Sequence, residues 1–67
     1  MKEIVVRKVN FQIAGYIQVD SSGNKTVMDF YKRILGRYDA GSDIVCDRQG
    51  RIVARGDAAA ILLKDEF

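Results

Sequence analysis

Sixty-seven residues make one small domain whose core supplies only a few kcal/mol of stability, roughly 3–5 for chains of this size. One cysteine, Cys46, excludes an internal disulfide, and the absence of histidine excludes histidine-dependent zinc sites and Ser–His or Cys–His catalysis. Eleven Lys and Arg against nine Asp and Glu leave a net charge of +2, with the signs interspersed rather than blocked, so no basic face of a nucleic-acid binder shows in the linear order.

The chain opens with Ile4, Val5 and Val6, then Val9, Phe11, Ile13, Tyr16, Ile17 and Val19, which read as strand, with clean alternation at Val9, Phe11 and Ile13. Arg7 and Lys8 interrupt any apolar run of leader length, and no stretch approaches the ~20 apolar residues of a membrane span, so the expectation is a cytoplasmic chain without a membrane partner. Ser21 to Asn24 is the plainest loop. It contains the start of a formal glycosylation sequon at Asn24, read as no more than a polar turn.

From Thr26 the sequence repeats. A shift of 18 residues lays Asp29 through Ala40 over Asp47 through Ala58, with six of twelve positions identical and two more conservative, Leu35 with Val53 and Gly36 with Ala54. Thr26, Val27 and Met28 fall over Ile44, Val45 and Cys46, and more loosely over Leu62, Leu63 and Lys64. A weaker copy lies upstream, where Ile13 to Tyr16 precede Ile34 to Arg37 by 21 residues, the three additional residues falling in the Ser21–Asn24 loop. The units are a degenerate one at 1–24, repeats at 26–43 and 44–61, and a partial one at 62–67. The repeat also accounts for Arg55, Gly56 and Asp57, an adhesion tripeptide only in spelling.

The 44–57 copy defines the conformation of a unit. Ile44 to Cys46 is β-branched and apolar, and Asp47 to Gly50 is a turn in which aspartate bonds its own backbone and glycine takes positive φ. Arg51 to Arg55 is again β-compatible, so the unit is a β-hairpin. Alternation then places Ile34, Gly36 and Tyr38 on one face and Arg33, Leu35 and Arg37 on the other, with Ile52, Ala54 and Gly56 opposing Arg51, Val53 and Arg55. The competing reading of 26–38 is an amphipathic helix behind a Thr26–Asp29 capping box, which makes the chain an α+β, ββαββ domain. The hairpin is preferred because Gly50 and Gly56 make the partner copy a poor helix. The predicted fold is all-β: about seven short strands in tandem hairpins, closed by pairing of Ile61–Asp65 with Glu3–Arg7.

The phrase from Asp29 to Asp39, followed by that from Asp47 to Asp57 and an apolar tail, resembles short bacterial proteins built from "Asp-x-x-Gly-Arg-ϕ-ϕ-Gly" hairpins (ϕ apolar), the four-fold β-flower proteins. Lys32 and Ala54 replace the two glycines of that pattern. The resemblance spans residues 26–65 and implies hairpins around a central pseudo-axis; it implies no activity.

Candidate sites follow from the repeat. Asp29, Asp47, Gly50 and Asp65 are turn residues; Asp39 and Asp57 also recur, and the spacing lacks the dense ligand run of a calcium loop. Arg33, Arg37, Arg51 and Arg55 form a candidate basic patch for phosphate or carboxylate, against a plainer reading as surface partners of the repeated aspartates. The aromatics Phe11, Tyr16, Phe30, Tyr31 and Tyr38 are stacking candidates between basic residues, against a plainer role in the core. Cys46 aligns with apolar Met28 and reads as a packed thiol. The functional expectation is a non-catalytic interaction or assembly module without cofactor or metal, whose partner is a second copy or another protein. The alternative is a small basic nucleic-acid-binding protein that uses the repeated arginines.

Overall fold

Strands β1 (Lys2–Arg7), β2 (Ile13–Val19), β3 (Lys25–Asp29), β4 (Ile34–Asp39), β5 (Ile44–Asp47) and β6 (Ile52–Arg55) follow one another across a single antiparallel sheet in the computed structural model, which describes residues 2–66. A 3₁₀ helix, Ala59–Glu66, crosses β2, β3 and β4 on one face. The protein is therefore all-β, a meander of three hairpins (β1β2, β3β4 and β5β6), as the repeat predicts. Met1 and Phe67, at the outer ends of the first and last units, lie outside the described residues.

All three hairpins share one irregularity. The register slips between Val6 and Arg7 opposite Ala14, between Val27 and Met28 opposite Leu35, and between Val45 and Cys46 opposite Val53. Ala14, Leu35 and Val53 are equivalent positions of the repeat, so the degenerate first unit folds as the other two do. Each is the additional residue of a β-bulge, which interrupts alternation and strengthens the local twist. The bulge corrects the expected division of faces. Gly36 and Tyr38 do point into the core, but bulged Leu35 packs there with them, and Ile34 sits opposite Met28 on the other face.

The core lies between the sheet and the 3₁₀ helix, where Ile17, Val27, Tyr38 and Val45 meet Ala59 and Leu63. Two glycines make room for this helix. A Cβ on Gly15 would stand 2.3 Å from the carbonyl oxygen of Met28 and 2.7 Å from Leu63 Cδ2; one on Gly36 would stand 2.2 Å from the carbonyl oxygen of Cys46 and 2.9 Å from Leu62 Cδ1. The repeat thus keeps a side chain off the sheet where each leucine must enter.

Three further expectations are corrected. Among the described residues the two ends do not pair: β1 is bonded to β2 alone, and 61–65 is 3₁₀ helix rather than a seventh strand, so the sheet is open. As a strand this tail would leave the hollow over Gly15 and Gly36 uncovered. Asp65 accordingly belongs to that helix and not to a hairpin turn. Residues 26–38, by contrast, are strand, turn and strand as the preferred hairpin reading expects, and Asp29 directs its carboxylate to the backbone N–H groups of Tyr31 and Arg33. Lastly, Val9 and Phe11 belong to the β1β2 turn despite their alternation.

Candidate functional site

In a meander, every second turn lies at the same end of the sheet, so the β1β2, β3β4 and β5β6 turns project together. Their backbones are equivalent. The N–H of Lys8, Asp29 and Asp47 donates to the carbonyl oxygen of Gln12, Arg33 and Arg51, and the N–H of Phe11, Lys32 and Gly50 donates back to the first residue of its turn. The fourth residue of each turn has positive φ: 71° at Phe11, 64° at Lys32 and 85° at Gly50. Only glycine adopts that conformation without steric cost. The Asp20–Asn24 turn at the opposite end uses the same device with Gly23.

Aspartate organises two of the three turns. Asp29 Oδ1 accepts the N–H of Tyr31 at 2.8 Å and of Arg33 at 2.9 Å, while Oδ2 accepts Arg33 Nε at 2.8 Å. Asp47 repeats the pattern with Gln49 and Arg51. Both carboxyls are held below the ordinary value of 3.8, chiefly by the backbone N–H of Arg33 and of Arg51 respectively.

The candidate arginines separate into two groups. Arg33 and Arg51, both tied to their aspartates, flank one hollow with Arg48 and Leu35 at the projecting turns. Arg37 and Arg55 lie further along β4 and β6 on the opposite face, where Arg37 is in register with Thr26 and Cys46, and Arg55 with Ile44. Half-buried Cys46 lines a second hollow there, beside Arg37 and Arg48.

The topology also sorts charge that the linear order mixes. The projecting-turn end carries Arg7, Lys8, Lys32, Arg33, Arg48 and Arg51 against Asp29 and Asp47. At the other end Asp20, Asp39, Asp43 and Asp57 gather, with Lys25 ion-paired to Asp57 at 2.7 Å. Tyr38 donates to Asp43 at 2.5 Å, and this bond, with burial, pushes the phenol up to about 12.

Among the described aromatics only Tyr38 is in the core. Phe11, Phe30 and Tyr31 are 80%, 51% and 74% exposed, all on the projecting turns. Phe30 and Tyr31 meet edge to face at 5.4 Å, and the Arg33 guanidinium lies 5.3 Å from the Tyr31 ring centre. With Arg7, Lys8, Gln12 and Ile13 these three rings border a hollow of about 520 Å³. Sequence reasoning named these three rings as stacking candidates but did not bring them together, because the Val9–Phe11–Ile13 alternation imitates a half-buried strand. The available signal was the alignment of Lys8 with Asp29, three residues before Phe11 and Lys32. Among the described residues no group of three or more carboxylates and thiols could hold a metal ion. Comparisons with family models, curated proteins and solved structures find no match to the chain.

Proposed function

We propose that the chain is a non-catalytic interaction and assembly module whose copies join edge to edge. The observation that carries this reading is the open sheet. Among the described residues, β1 and β6 each have a strand neighbour on one side only. Ile4, Val5, Ile52 and Val53 on these two strands are all more than a third exposed. Unpaired strand edges template pairing with another chain unless proline, charge, a bulge or a covering element blocks them; the sequence contains no proline, the charges of the edge strands stand toward their ends at Lys2, Glu3, Arg7 and Arg55, and the one edge-strand bulge is at Val53. Pairing β6 of one copy with β1 of the next continues the antiparallel meander. A two-fold β1–β1 pairing centred on Ile4 and Val5 would instead set Lys2 against Arg7 twice, a like-charge opposition. The head-to-tail arrangement is therefore favoured, and it closes as a ring or extends. The resemblance to hairpin-built β-flower proteins belongs to the same reading.

Sedimentation velocity across the micromolar range tests it. Mass should rise with concentration, and Val5→Lys or Val53→Lys should each return the monomer while keeping the circular dichroism of a folded sheet, since both side chains lie outside the core. A wild-type chain that stays monomeric throughout, or an oligomer indifferent to both substitutions, overturns the reading.

A further inference from the structure

We infer that the projecting-turn end binds single-stranded nucleic acid, with Phe11, Phe30 and Tyr31 stacking on unpaired bases and Arg7, Lys8 and Arg33 contacting phosphate. The argument begins from a local conflict. Phe11 occupies a positive-φ position that glycine fills in the third turn, and a bulky residue there carries backbone strain of order 1–3 kcal/mol. Lys32 occupies the equivalent position but offsets the strain: its Nζ is 2.8 Å from Glu3 and 4.4 Å from the Tyr16 ring centre. Phe11 gains only a hydrogen bond from Arg7 Nη1 to its carbonyl oxygen at 3.1 Å, while its ring is 80% exposed and outside the core. Strain held where it gains no packing points to a role outside the fold.

The surroundings give that role its chemistry. Phe30 and Tyr31 line the same hollow as Phe11 from a neighbouring hairpin, so the rings are presented on two hydrogen-bonded turns. Arg7 and Lys8 line the same hollow and form no salt bridge among the described residues, while Arg33 lies beside Tyr31. Aromatic faces interleaved with cations match a single strand, whose bases are free to stack and whose phosphates are evenly spaced. A duplex keeps its base faces covered and would use only the cations. This site shares only Arg33 with the four repeated arginines, rests on exposed rings that the arginine patch does not use, and is independent of edge-to-edge assembly.

Fluorescence anisotropy with labelled oligothymidylate at several salt concentrations tests the inference, with heparin and phosphatidylserine vesicles as comparison probes. Affinity should fall steeply with salt, and Arg7→Ala should reduce the log–log slope by about 0.7. Phe11→Gly and Tyr31→Ala should each weaken binding roughly 5- to 100-fold, the effect of one lost stacking contact. Because glycine suits the backbone at position 11, lost affinity in Phe11→Gly cannot be laid to unfolding, which a thermal melt of the same sample verifies. Three outcomes overturn the inference: no binding to oligothymidylate at low salt, binding to heparin and oligothymidylate that both aromatic substitutions leave unchanged, or a preference for the vesicles that those substitutions abolish.

Discussion

Asp29 and Asp47 show how one side chain can close a turn. Each carboxylate takes two backbone N–H groups and an arginine Nε from the four residues that follow it. The arginines themselves are mostly exposed, so their ion pairs are screened and contribute little; the backbone bonds dominate. A carboxyl whose pKa is lowered by folding stabilises the fold above its unfolded value of 3.8, and that contribution disappears as pH falls through the folded value. Acid titration of stability below pH 4 should therefore be flatter in the Asp29→Asn, Asp47→Asn double variant, which keeps the Oδ1 acceptors but not the charge. An unchanged slope in urea midpoints across that range would contradict this. Gly15 and Gly36 make a different point. Gly36 and Ala54 looked interchangeable as members of a repeat, yet a methyl group on Gly36 meets a backbone oxygen that cannot yield cheaply. Gly15→Ala and Gly36→Ala should each cost about 1–3 kcal/mol. In a domain of this size that lowers the melting temperature by at least ~4 °C, measurable by circular dichroism.

At the scale of elements, the hairpins were legible because their signals are local. Asp47, Gly50 and the β-branched residues around them specify strand–turn–strand without reference to the rest of the chain. The bulges were not legible, since a bulge is a relation between two strands, and neither Leu35 nor Val53 announces it. The tail was misread for a similar reason. Ile61, Leu62 and Leu63 have the composition of a strand, and only the hollow left by two distant glycines gives 59–66 its 3₁₀ conformation. Leu63 is fully buried whereas Ile61 is 40% exposed. Leu63→Ala should thus cost about 2–5 kcal/mol, comparable to the whole stability of so small a core. Ile61→Ala, at a partly exposed site, should cost distinctly less. Urea denaturation of the two variants gives the comparison directly, and similar losses would refute the packing assigned to the tail.

Over the whole molecule, meander topology converts a mixed charge sequence into two unlike ends and leaves two strand edges open. Edge-to-edge association and single-strand binding are predictions at this scale, and they separate cleanly: the first depends on Val5 and Val53, the second on Phe11 and Tyr31. No helix of the described residues is long and apolar enough to cross a membrane. Strand identity and turn position within the two clear repeats, and the equivalence of those repeats, were determined by the sequence alone, because hydrogen bonds spanning five residues and a period-two apolar pattern suffice for them. The tertiary structure decided the rest: that the tail caps the sheet instead of extending it, that Arg33 and Arg51 line one hollow while Arg37 and Arg55 face away, and that Phe11 shares another hollow with Phe30 and Tyr31. These depend on register slips and on contacts between residues far apart in the chain, which no local pattern encodes.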